Sequence, residues 1–111
     1  MKIPKRNPRD YSRNKERVLS LVNYKIVELN KIYNFEFNKI SIRNQKTRWG
    51  SCSRKKNLNF NYRMIYLPEK VIDYIIVHEL CHLKEFNHSK NFWNLVQIAI
   101  PDYKEIKKLS R

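Results

Sequence analysis

The sequence predicts a small α+β domain. Apolar residues recur at helical spacing in two long stretches, and between them lie two shorter stretches in which apolar and polar residues alternate. The chain has 111 residues, of which 41% are apolar, so it suits one packed core. A single glycine and four prolines leave no low-complexity linker to divide it. The order helix, strands, helix, helix then implies helices packed on one small antiparallel or mixed sheet.

Residues 1–12 read as a basic, proline-containing arm (Lys2, Lys5, Arg6, Arg9) without an apolar period, and residues 13–111 as the domain proper. Over residues 13–33, Val18, Val22, Ile26, Leu29 and Ile32 form the stripe of an amphipathic helix, flanked by Leu21 and Lys25. Ile40 and Ile42 alternate with Ser41 and Arg43, a strand pattern. A second strand is expected over residues 58–66, where Leu58, Phe60, Tyr62, Met64 and Tyr66 share one face. Between the strands lie Arg48-Trp49-Gly50-Ser51-Cys52-Ser53 and the basic turn Arg54-Lys55-Lys56-Asn57. Gly50, the only glycine, marks a bulge, a tight turn or a close backbone approach.

Pro68 opens a long helix, with Glu69 suited to its positive end and Val71, Ile72, Ile75, Ile76, Leu80 and Leu83 on its buried face. It is expected to stop near Phe86-Asn87, with Asn87 as a left-handed cap. Ser89 can cap a further helix through Phe92, Trp93, Val96 and Ile100. Pro101 ends that helix, and a last short one covers residues 102–109.

The longest apolar stretch, residues 71–77, is interrupted by Asp73 and falls far short of the ~20 residues a membrane helix needs, so no membrane association is expected. The basic N-terminus is followed by no apolar run and does not read as a signal peptide. Cys52 and Cys81 lack Cys-x-x-Cys spacing, which argues against a disulfide framework and for a cytoplasmic protein. The net charge of +14 suits contact with polyanions such as nucleic acid, although charge alone specifies no groove or base.

His78-Glu79-Leu80-Cys81-His82 carries the chemistry. Residues four apart on a helix stand one turn apart on the same face, so His78 and His82 can converge on one ion. Glu79 then lies beside the ion without ligating it, placed to take a proton from a water. A catalytic zinc needs a third ligand. His88 can reach the ion only if the helix ends and the chain turns back, while Glu85 competes for the role from the same helix face. Cys81 reads as a small buried residue, and Cys52 has no histidine left to activate it.

With these residues in place, the sequence resembles the YgjP-like metallopeptidases, within the broader SprT-like and zincin group. The resemblance rests on Arg48-Trp49-Gly50-Ser51-Cys52-Ser53, Asn57-Leu58-Asn59-Phe60-Asn61, Leu67-Pro68 with Val71-Ile72-Asp73-Tyr74, the histidine motif with Leu83, Asn87-His88-Ser89 with Phe92-Trp93, and Pro101-Asp102-Tyr103. It covers about residues 40 to 110 and loosely the first helix. It implies a zincin-like (minigluzincin-like) fold, with the His78–His82 helix packed on a small β-sheet, and a Zn2+ site of His78, His82 and His88. Longer members carry an extra N-terminal β-rich region, of which this sequence is expected to have only the basic arm. Glu85 replaces the glycine of the metzincin pattern, and no methionine follows His88 to form that group's turn.

The expected function is therefore a zinc metallopeptidase acting on a peptide or protein, with Glu79 as general base. An extended substrate is expected on the edge of the strand at residues 58–66. Arg48, Arg63 and Tyr103 are candidate substrate or oxyanion contacts. Arg48 and Trp49 also admit a structural reading, the indole covering the core and the guanidinium tying down a loop. Phe92 and Trp93 read as core residues behind His88. Two other functions compete. One is a SprT-like protease on DNA-bound proteins, held by the basic arm and Arg54-Lys55-Lys56. The other is a non-catalytic, metal-stabilised nucleic-acid-binding module.

Overall fold

Residues 3–110 are described by a computed structural model, so Lys2 of the basic arm lies outside the described residues. The first helix, α1, is Pro8–Leu29 and starts five residues earlier than the apolar stripe suggests. Its start is set by capping. The Asn7 side chain accepts from the N–H groups of Arg9 (2.8 Å) and Asp10 (3.2 Å), and Pro8 occupies the first turn. Val18, Val22 and Ile26 are buried as expected. Ile32, placed in the same stripe, lies beyond the helix and is half exposed. Asn34, with φ of 56°, takes the left-handed conformation that turns the chain toward the sheet.

The sheet comprises β1 (Lys39–Arg43), β2 (Gly50–Cys52) and β3 (Asn57–Asn61) in the order β1-β3-β2. It is mixed. β1 runs parallel to β3, with Ile40 opposite Leu58 and Ile42 opposite Phe60, while β2 runs antiparallel, with Gly50 opposite Phe60 and Cys52 opposite Leu58. The strand expected over residues 58–66 breaks at Asn61 into a 3-10 helix, Tyr62–Tyr66. The cause is the Asn61 side chain. Its oxygen accepts from Arg63 N–H (3.0 Å), and its amide donates to the carbonyls of Gln45 (3.0 Å) and Arg48 (2.9 Å). Tyr62 and Met64 stay buried, while Tyr66 is partly exposed and donates to Asp10. β3 is paired on both sides, so the edge expected there for substrate does not exist; the free edge beside the functional helix belongs to β2.

Helix α2 spans Glu69–His82 and packs against α1, β2, α3 and α4. Here α3 is Lys90–Ala99 and α4 is Tyr103–Leu109. Val71, Ile76, Val77 and Leu80 of α2 are fully buried against Phe60, Leu58 and Phe92, each burial contributing about 1.5–3 kcal/mol. Lys25 of α1, also buried, holds the start of α2 through Glu69 and Asp73, each at 2.8 Å. α2 ends at His82, a turn before the expected stop, and Asn87 does not adopt a left-handed conformation. Ser89 caps α3 as expected, accepting from Phe92 N–H at 3.4 Å. Among the described residues, no helix is long and apolar enough to cross a membrane.

Candidate functional site

The early end of α2 builds the site. His78 and His82 occupy its last turns, and their rings stand 4.7 Å apart. Beyond His82 the backbone tightens. The N–H groups of Lys84 and Glu85 both reach the Cys81 carbonyl, at 3.1 and 2.9 Å. This places the Glu85 carbonyl 2.9 Å from Nδ1 of His82. Nδ1–H donates to it, leaving the lone pair on Nε2 and aiming the ring. Glu85 thus serves through its backbone, and its carboxylate is not among the clustered ligand atoms.

The chain then returns, and the Ser89 cap fixes the residue before it. Nε2 of His88 lies 3.1 Å from Nε2 of His82 and 3.2 Å from Nε2 of His78. Three nitrogens bound tetrahedrally at ~2.0–2.1 Å would stand about 3.3–3.4 Å apart, so the donor set fits a zinc-sized ion. Burial, reinforced by the neighbouring imidazoles, pushes the pKa of His82 and His88 down; Lys107 adds to the effect at His88. The neutral form, the state that ligates a metal, is thereby favoured at both.

Aromatic rings hold the three histidines from behind. Phe92, fully buried, stacks on His82 at 4.4 Å and meets His78 and His88 edge-on at 5.1 Å each. Trp93 stacks on His88 at 5.8 Å and on Tyr103 at 5.0 Å, with the Lys107 ammonium 4.4 Å from the indole centre. Tyr103 thus lies behind Trp93 rather than in the cleft.

Glu79 is buried, with Oε2 at 3.3 Å from Nδ1 of His78. β2 presses on it through Gly50, where an added β-carbon would crowd the Glu79 side chain at 3.0 Å. This is the close backbone approach that the lone glycine marked, and its partner was not readable in the sequence. The cleft over His78, Glu79, His82 and His88 is lined by Arg48, Ser51 and Cys52. Arg63 lies elsewhere. It donates to the carbonyls of Gln45 (3.4 Å) and Lys46 (3.2 Å) and covers the Trp49 ring, so it ties down the loop, the role considered for Arg48. Trp49 packs against the core, and its indole N–H donates to the Ser110 carbonyl at 3.0 Å.

Both cysteines are free thiols. Burial pushes Cys52 up to about 11, aided by the Glu79 charge, and burial likewise pushes Cys81 up to about 11. Neither is a poised nucleophile. Cys52 and Lys107 as neighbours of the site escaped the sequence reading, because nothing local to either residue points to the histidines.

The model of the YgjP-like metallopeptidase domain matches residues 7–109. The chain belongs to this family. Two solved structures agree with the YgjP-like assignment. The crystal structure of the metallopeptidase zymogen of Pyrococcus abyssi abylysin superposes with a TM-score of 0.70 and 29% identity, covering 81% of this chain and 96% of that one. The zymogen of Methanocaldococcus jannaschii jannalysin gives 0.63 and 29%, covering 84% of this chain and 92% of that one. No curated protein matches the chain. The α+β, minigluzincin-like architecture is as expected, and the chain is a peptidase whose family implies a divalent metal and a peptide or protein substrate.

Proposed function

We propose that this peptidase depends on zinc held by His78, His82 and His88, with Glu79 as its general base. The observation that carries the reading is the convergence of three Nε2 atoms, at 3.1 and 3.2 Å, beside a buried carboxylate. Zinc, when bound there, polarises the scissile carbonyl and lowers the pKa of a water. The residues of the chain supply the rest. Glu79 takes the proton of the attacking water and returns it to the leaving amine. Gly50, Ser51 and Cys52 of β2 line the cleft at the free edge of the sheet, so an extended peptide can add there as a further strand. Arg48, at the mouth, is the candidate partner for the oxyanion. Arg63 and Tyr103 act through the loop and through Trp93.

Metal content by mass spectrometry tests the reading, on untagged wild type and His88→Ala, together with peptide hydrolysis by wild type and Glu79→Gln. One zinc per chain, lost in His88→Ala, and hydrolysis lost in Glu79→Gln with zinc retained are expected. A wild type that takes up no metal after zinc is added back would sink the proposal.

A second reading, hydrolysis of DNA-bound proteins, draws on the groove at the start of α1, where Lys5, Arg9 and Arg13 gather. It requires DNA affinity that falls steeply with salt. Affinity that is flat between low and physiological salt would remove it. A non-catalytic module is not proposed, since the family is one of peptidases.

A further inference from the structure

On the far side of Gly50 from Cys52, a recess of about 250 Å³ opens between β2, α2 and α4. His78 and Glu79 line it, so it adjoins the reacting bond. Its size is below the ~300–1,000 Å³ of small-molecule pockets and suits a single side chain. Trp49, Tyr74 and Ile75 supply apolar wall, which would cover the stem of such a group.

Its charges are mainly positive. The ionisable side chains lining it, apart from His78 and Tyr74, are Arg48, Lys107 and Glu79, and Glu79 already serves the proton transfer. Arg48 and Lys107 make no ion pair among the described residues. The contrast with Lys108 on the same helix, and with the buried Lys25 of α1, is direct. Lys108 takes Glu105 at 3.8 Å, and Lys25 takes both Glu69 and Asp73, whereas Lys107 is half-buried over the Trp93 ring with no acid. Two unpaired cations at the rim of an apolar recess attract an anion and repel a cation.

We propose that this recess binds a carboxylate of the peptide substrate beside the scissile bond, with Lys107 as the specificity-determining residue and Arg48, the oxyanion candidate, adding positive charge at the rim; the proposal rests on the peptidase reading above. The carboxylate can come from an Asp or Glu side chain or from the free C-terminus of a short peptide. The first makes the chain an acid-selective endopeptidase, the second an enzyme that recognises chain ends.

The test is binding, measured by calorimetry on the zinc-loaded, full-length Glu79→Gln protein. Four short acetylated peptides are compared: Ala-Glu-Ala, Ala-Gln-Ala and Ala-Lys-Ala, each amidated, and Ala-Gln-Ala with a free C-terminus. At least one carboxylate-bearing peptide is expected to bind about 5- to 10-fold tighter than amidated Ala-Gln-Ala, with the Lys peptide weakest. The tighter of the two identifies the source. Adding Lys107→Glu, with zinc content unchanged, is expected to reverse the Glu–Lys order. Equal affinities, no measurable binding by any peptide, or an order indifferent to both Lys107→Glu and Arg48→Glu overturns the proposal. These outcomes leave the peptidase reading standing, because that reading is tested separately by wild-type hydrolysis and zinc content.

Discussion

A β-carbon placed on Gly50 would stand 3.0 Å from Cγ and 3.1 Å from Oε2 of Glu79, and 3.2 Å from the Asn59 carbonyl. The φ of Gly50 is not positive, so the need for glycine is one of space rather than backbone freedom. β2 is thereby seated directly on the carboxylate that the proposed mechanism uses.

Gly50→Ala is therefore expected to displace the Glu79 carboxylate, because the Asn59 carbonyl, 3.2 Å from the added carbon, is backbone and yields less readily than a side chain. A displacement of less than 1 Å can lower kcat by up to about 100-fold. Zinc content should stay at the wild-type level, since the nearest neighbours of the added carbon belong to Glu79 and Asn59 rather than to a histidine. Steady-state hydrolysis paired with metal analysis checks this, and wild-type kcat in the variant would contradict it.

Acid should strip the metal in a defined direction. Burial holds His82 and His88 below the ordinary histidine value of 6.5. The unfolded chain protonates near that value, so below it the unfolded state binds more protons and stability falls as pH falls. A bound metal excludes protons further. Zinc release to a colorimetric chelator is expected to have its midpoint below pH 6.5, and a midpoint above 6.5 would contradict the burial argument.

Lys25 predicts an effect at the other end of the scale. Burial disfavours its charge, but hydrogen bonds and attraction from Asp73 and Glu69 outweigh this and raise its pKa above 10.5. A raised lysine stabilises the fold below its unfolded pKa, and that contribution disappears as pH rises through the folded value. Lys25→Met should lower the Tm at neutral pH by unpairing Asp73. The difference from wild type should shrink above pH 10.5, as followed by thermal melts across pH.

Asn61→Ala removes three hydrogen bonds at a position that is 1% exposed. Leaving the part-buried Arg48 carbonyl without its donor, and the Gln45 carbonyl with Arg63 alone, is expected to cost about 1–3 kcal/mol. It should also loosen the loop that presents Arg48 to the cleft. Denaturant unfolding measures the first effect, and a raised KM with zinc retained would report the second.

Local chemistry made much of this protein legible. The four-residue spacing of His78 and His82 needs only helical geometry, and Ser89 and Pro68 mark helix starts through their own side chains. The alternation over residues 58–66 predicts one strand, but a period of two does not distinguish a strand from a strand that turns into a 3-10 helix. What decides is Asn61, whose partners Gln45 and Arg48 lie 16 and 13 residues away.

His88 was named by family resemblance, while spacing left Glu85 in contention. Where α2 ends favours His88 in the proposed site, since stopping at His82 turns the Glu85 carbonyl onto Nδ1 and lets His88 return. Gly50 against Glu79, and Lys107 beside Trp93, join positions 29 and 14 residues apart. The sequence alone therefore determined which residues could do the chemistry, because helical spacing and capping are local. Only the tertiary structure decided which of them meet, because close approach between β2, α2 and α4 is set by packing across the core.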